Sequence, residues 1–225
     1  MAHQRYVSNE LTHFVGGGLK SHEERFNLLA TILKTGVLHT QPSMVDGPVC
    51  FTWGFPISVD ADEMFSAYCV CFCDIPLADL GIHIGKYGPF GIAFTKGFLV
   101  GKGASPVFYI AKDALSQGKY PAGRRFEELL TLATKVTNNG RGRGDPRDLW
   151  TLMEWHLLTY LKPFDSQLVE EHKKNYYMER EWRVIGGFRF QVDDVARVII
   201  PREFARKFRE VMPEYIGQIS FPSED

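Results

Sequence analysis

The segment Asn175–Phe188, NYYMEREWRVIGGF, sets two carboxylates and a guanidinium at alternate positions. As a strand it places Glu179, Glu181 and Arg183 on one face and Trp182, Val184 and Phe188 on the other, because side chains alternate with period 2. A carboxylate beside a guanidinium stays ionised, since a nearby opposite charge lowers its pKa. So held, it can accept a proton as a general base or sit where positive charge develops in a reaction. The alternative is an ordinary charged face, with Glu179 and Glu181 in ion pairs with Arg180 and Arg183.

Three other groups carry chemical potential. YCVCFCD holds Cys69, Cys71 and Cys73 in C-x-C-x-C spacing, with Cys50 apart. On a strand these thiols share one face at intervals of roughly 6.6–6.8 Å. That is too wide for a tetrahedral zinc site, which usually draws on C-x2-C pairs in turns. They read as buried structural thiols, and no metal is assigned. His13, in ELTHFV, lies in a short apolar run between Leu11 and Phe14. Tyr87, in HIGKYGPFGIAF, stands at a turn where Gly88 and Gly91 keep the backbone slim before a strand.

The elements that would position these groups follow from periodicity. RFNLLATILKTGVL carries Phe26, Leu29, Ile32 and Leu33 at helical spacing, with Gly36 where a C-terminal cap belongs. AYCVCFCDI, FGIAFT and PVFYIA read as strands, and PLADLGIHIGKYG as a helical or looped excursion. RRFEELLTLATKVT and LWTLMEWHLLTYLKPF read as helices around the loop NNGRGRGDPRD, then EREWRVIGGFRF as strands. VARVIIP, a buried strand, and REFARKFREVM, an amphipathic helix, complete the series. The pattern predicts one α+β domain over residues 1–225 with a helical insertion at about 124–162.

Composition excludes several classes. Across 225 residues, 26 Lys and Arg balance 27 Asp and Glu, and 44% of residues are hydrophobic, which is a globular profile and not a disordered one. A net charge of −1 argues against a dedicated nucleic-acid coat. Two Arg–Gly units in NNGRGRGDPRD are too few to carry an RNA-binding reading, and KGFLVGKGASP lacks the G-x4-G-K-[ST] phosphate-loop pattern. No apolar stretch approaches the ~20 residues of a membrane span, and the amino-terminal residues lack a signal-peptide core, so a cytoplasmic protein is expected.

A histidine on a first strand, a tyrosine beside a glycine before a central strand and a glutamate on a late strand together resemble the His-Tyr-Glu arrangement of ADP-ribosyltransferases. The resemblance implies a bent or split mixed β-sheet and NAD as substrate. It implies that His13 holds the adenosine-side ribose, Tyr87 packs against nicotinamide and Glu181 holds the nicotinamide ribose. Glu181 would then stabilise the oxocarbenium-like transition state, Glu179 would orient or deprotonate an acceptor, and Arg183 would join the cofactor-binding set by keeping a carboxylate ionised.

The motifs LTHFV, ILKTGVL, CFCDIPL, KYGPFGIAFTK, PVFYI and YYMEREWRV, spread over roughly residues 11–190, are similar to those of the abortive-infection AbiGi family, described as the antitoxin of a phage-resistance pair. Two classes of function stand open. One is an enzyme that consumes NAD and passes ADP-ribose to a macromolecular acceptor, protein or nucleic acid, or hydrolyses NAD. The other is a non-catalytic antitoxin that binds a cognate toxin or represses its operon.

Overall fold

The computed structural model describes residues 8–39, 69–111, 157–172 and 174–222. These fall into two units: residues 8–39, 69–105 and 179–222, and residues 106–111, 157–172 and 174–178. Cys50, the loop at 138–148 and all but the last residues of the expected helical insertion lie outside the described residues.

The first elements are β1 (Glu10–Phe14), α1 (His22–Thr35), β2 (Val37–His39), β3 (Cys69–Cys73), α2 (Gly81–Tyr87), β4 (Gly91–Thr95) and α3 (Lys96–Gly101). β5 (Ser105–Pro106) lies where the chain passes to the second unit, which holds β6 (Phe108–Ala111) and β7 (Leu161–Phe164). The chain then returns with β8 (Glu181–Ile185), β9 (Gly187–Arg189), β10 (Val195–Ile199), α4 (Ala205–Val211) and β11 (Gln218–Ser220). The architecture is α+β around a large mixed sheet of strand order β11, β10, β4, β1, β3, β8, β5. β10 and β11 run parallel. The β10–β4, β4–β1, β1–β3 and β3–β8 ladders are antiparallel.

Local chemistry accounts for α1. Ser21 caps its start by accepting from the Glu24 backbone N–H while the Glu24 carboxylate accepts from the Ser21 N–H. Gly36 ends it with φ +62°, and its N–H reaches the Ile32 carbonyl at 3.0 Å. Between these caps Phe26, Leu29, Ala30 and Leu33 are buried at helical spacing.

The buried face meets one side of the sheet. Leu11, Val70, Phe72, Ile92, Phe94 and Val184 join the same core as Phe26 and Leu29 of α1 and Phe208 of α4. Phe94 sits among the rings of Phe72, Phe98, Phe188 and Phe190, with centroids 5.0–6.3 Å away. Each fully buried ring contributes roughly 1.5–3 kcal/mol through lost water contact. On the opposite side a smaller cluster forms from Cys73, Ile75, Leu80 and Ile199 with Phe14 and Ile84.

The excursion left open as helix or loop is a 3-10 turn, Leu77–Asp79, followed by helix α2. After β8 the chain turns at Gly186, φ +76°, and β9 pairs with β2 in a separate antiparallel ladder. In the second unit, β6 and β7 are parallel, and the rings of Tyr109, Phe164 and Tyr177 meet at 4.9–6.2 Å. No helix among the described residues is long and apolar enough to cross a membrane.

Phe94→Ala is expected to lower unfolding free energy by about 3–5 kcal/mol through lost burial and the cavity left among four rings. Chemical denaturation monitored by circular dichroism measures it, and a loss under about 1 kcal/mol would deny the ring cluster its place at the centre of the core.

Candidate functional site

The β3–β8 register sorts the side chains of EWRVI between the two faces of the sheet. Phe72 faces Trp182 and Val70 faces Val184, whereas Cys73 faces Glu181 and Cys71 faces Arg183. Trp182 and Val184 therefore turn to the aromatic core, and Glu181 and Arg183 lie on the other face beside the thiols. Arg183 Nε donates to Glu181 Oε1 at 2.6 Å, with the two side chains 0% and 3% exposed. Burial alone would depress the guanidinium, but the charge and hydrogen bond of Glu181 reverse that and push its pKa up. A charged pair so enclosed is sustained only by its own geometry and the bonds around it.

The thiols beside it are not primed for reaction. Cys69 and Cys71 Sγ lie 3.8 Å apart. That hydrogen bond, burial and the charge of Glu181 hold the Cys71 thiol well above its ordinary pKa. Cys73 is pushed up to about 12, first by burial and then by Glu179. Thiolates are the nucleophiles and metal ligands, so Cys71 and Cys73 stay protonated. Among the described residues no group of three His, Cys, Asp or Glu side chains is disposed to hold a metal ion.

Glu179 departs from the strand expected of it. It closes a 3-10 turn, Tyr176–Glu179, and Arg180 follows with φ +44° before β8 begins. That left-handed residue costs roughly 1–2 kcal/mol and ends the strand, so Glu179 reaches the polar face from a turn and not by strand alternation. Instead Glu179 turns to α2, where Lys86 Nζ and the Tyr87 hydroxyl both donate to its Oε1. The spacing of α2 puts His83, Lys86 and Tyr87 at i, i+3 and i+4 on neighbouring positions of one helical face. Phe14 of β1 stacks against His83 at 6.4 Å and against Tyr87 at 5.9 Å. Gly88 ends the helix with φ +98°, leaving room for Arg25, whose Nη1 would lie 1.6 Å from a Cβ there. Arg25 in turn donates to the Leu19 and Tyr87 carbonyls.

His13 lies elsewhere. It follows Thr12, which faces Cys73, so alternation sends its side chain to the side of Leu11 and the aromatic core. Its ring meets Phe72 at 5.8 Å, and its Nδ1–H donates to the Cys71 carbonyl at 2.8 Å. Burial lowers its pKa, partly offset by that hydrogen bond. Four of the five sequence candidates thus form two pairs, Tyr87 with Glu179 and Glu181 with Arg183, on the face opposite the fifth, His13. Sequence reasoning passed over Lys86 and His83. The helical spacing in GIHIGKY is the signal that would have grouped them with Tyr87.

Comparison with known proteins places this geometry in context. Residues 63–211 match the family model described as "Putative abortive phage resistance protein AbiGi, antitoxin". That span contains both polar pairs and begins after His13. The chain is similar to "Abortive phage resistance protein AbiGi" of Lactococcus lactis subsp. cremoris, 32% identical over 136 residues, which cover 52% of this chain and 50% of that protein. The match thus spans about half the length of that relative. No solved structure matches.

Removing one member of the buried pair strands the other. Arg183→Met is expected to cost about 3–5 kcal/mol, whereas the double variant Glu181→Leu/Arg183→Met recovers much of that loss because no uncompensated charge remains. A double-mutant cycle from urea denaturation checks it, and additive losses would mean that the two groups are not energetically paired.

Proposed function

The chain belongs to the AbiGi family of abortive phage resistance proteins, and on that premise we propose that it serves phage defence as a non-catalytic antitoxin, binding and neutralising a cognate toxin. The observation that carries this reading is the separation of His13 from Glu181 by the sheet itself, with Glu181 committed to Arg183 at 2.6 Å in the interior. Side chains on opposite faces of one sheet do not line one cleft as the His-Tyr-Glu arrangement implies, which supports this reading over the transferase. A carboxylate that is to stabilise positive charge must also face the reacting atoms. The description of the family as an antitoxin supports a protein partner. The net charge of −1 favours a protein over an operator, since DNA binding draws on basic surface.

An NAD-consuming transferase, acting on a macromolecular acceptor through an ADP-ribosyltransferase-like sheet, is the second reading. One observation favours it: the hydroxyl of Tyr87 and the carboxylate of Glu179 meet directly. In that reading Glu179, more than Glu181, is the carboxylate near the aromatic ring.

Two measurements separate these readings. If the protein encoded beside this chain arrests growth when expressed alone, co-expression of the chain is expected to restore growth, with the two eluting as one complex. Purified chain incubated with nicotinamide-labelled NAD is expected to release no label above a protein-free control. Label release that Tyr87→Phe or Glu179→Gln reduces by ~10²-fold or more would replace the antitoxin reading with the transferase.

A further inference from the structure

His83 is 4% exposed, yet its Nδ1 is enclosed with no hydrogen-bond partner among the described residues. Buried polar atoms are nearly always paired, so this one calls for a physical reason. Its place in the fold supplies one. On α2 the ring stands one turn before Lys86 and Tyr87, which clasp Glu179, and it shares the Phe14 ring with Tyr87.

We propose that His83 is a proton sensor for the clasp between α2 and Glu179: once protonated, its ring takes the Glu179 carboxylate as partner, and Lys86 and Tyr87 are released to water. The inference is independent of the antitoxin reading. In the exchange one proton arrives from solvent on a ring nitrogen, Tyr87 keeps its phenolic proton and Lys86 its charge, and only hydrogen bonds change partners.

The charges around the ring set the direction. On α2 itself Lys86 opposes an imidazolium. Glu179, from the turn before β8, attracts one. Cys73 of β3 stays a neutral thiol, Asp79 of the preceding turn is exposed, and Phe14 of β1 carries no charge. Burial is the largest influence and places His83 below its ordinary value of 6.5. The closed state therefore binds the proton less readily than an open or unfolded one. Its advantage is complete above about pH 6.5 and is lost as pH falls through the lowered value.

Hydrogen exchange read by mass spectrometry on the full chain tests the device, with rates corrected for the intrinsic pH dependence of amide exchange. Between pH 7.5 and 5.5 the protection of residues 81–88 is expected to fall severalfold, toward a ceiling of about tenfold set by an open-state value near 6.5, while α1 keeps its own. His83→Gln, which cannot take up a proton, is expected to hold its protection at both pH values. Equal protection of the unmodified protein at both values, or the same loss in His83→Gln, would overturn the proposal. Should His83→Gln fail to fold, NMR titration of the unmodified protein decides. The His83 ring and the Tyr87 ring signals are expected to move with one midpoint, and separate midpoints would overturn it.

Discussion

The antiparallel register of β3 against β8 is the constraint on which the remaining structure depends. With Phe72 opposite Trp182 and Cys73 opposite Glu181, one strand pair delivers apolar side chains to one side and ions to the other. A slip of one residue would drive Glu181 and Arg183 into a core of phenylalanines, where nothing could solvate or pair them, and turn Trp182 and Val184 out of it. The aromatic core thereby enforces the polar face. Phe94 and its four ring neighbours fix the sheet tightly enough that the Glu181–Arg183 bond keeps its 2.6 Å geometry.

The polar face then divides its labour. The inner pair, Glu181 with Arg183, is enclosed and answers the desolvation of each charge with the other. The outer group ties α2 to the turn before β8 through Glu179, and it retains an imidazole whose hydrogen bonding is incomplete. The thiols between them stay protonated because both burial and neighbouring carboxylates disfavour thiolate. A face of this construction holds α2, the turn before β8 and the sheet in one arrangement.

Local sequence determined the elements whose signals lie within a few residues. The Ser21–Glu24 box and Gly36 bound α1, and the alternation in CVCFC and EWRVI marks two strands with a single sidedness each. Family motifs spread along the chain were legible for the same reason, since each is a contiguous string. Pairing across distance was not legible. Glu179 finds Lys86 and Tyr87 at separations of 93 and 92 positions, and only the docking of α2 beside β1 creates that meeting. Nor could strand parity foresee Arg180, whose φ of +44° separates Glu179, in a 3-10 turn, from the strand that carries Glu181. The side on which His13 falls was likewise settled by ladder register, through Thr12 against Cys73. Period-2 alternation states which residues of one strand share a face, but which faces of different strands coincide is decided by hydrogen-bond register and packing.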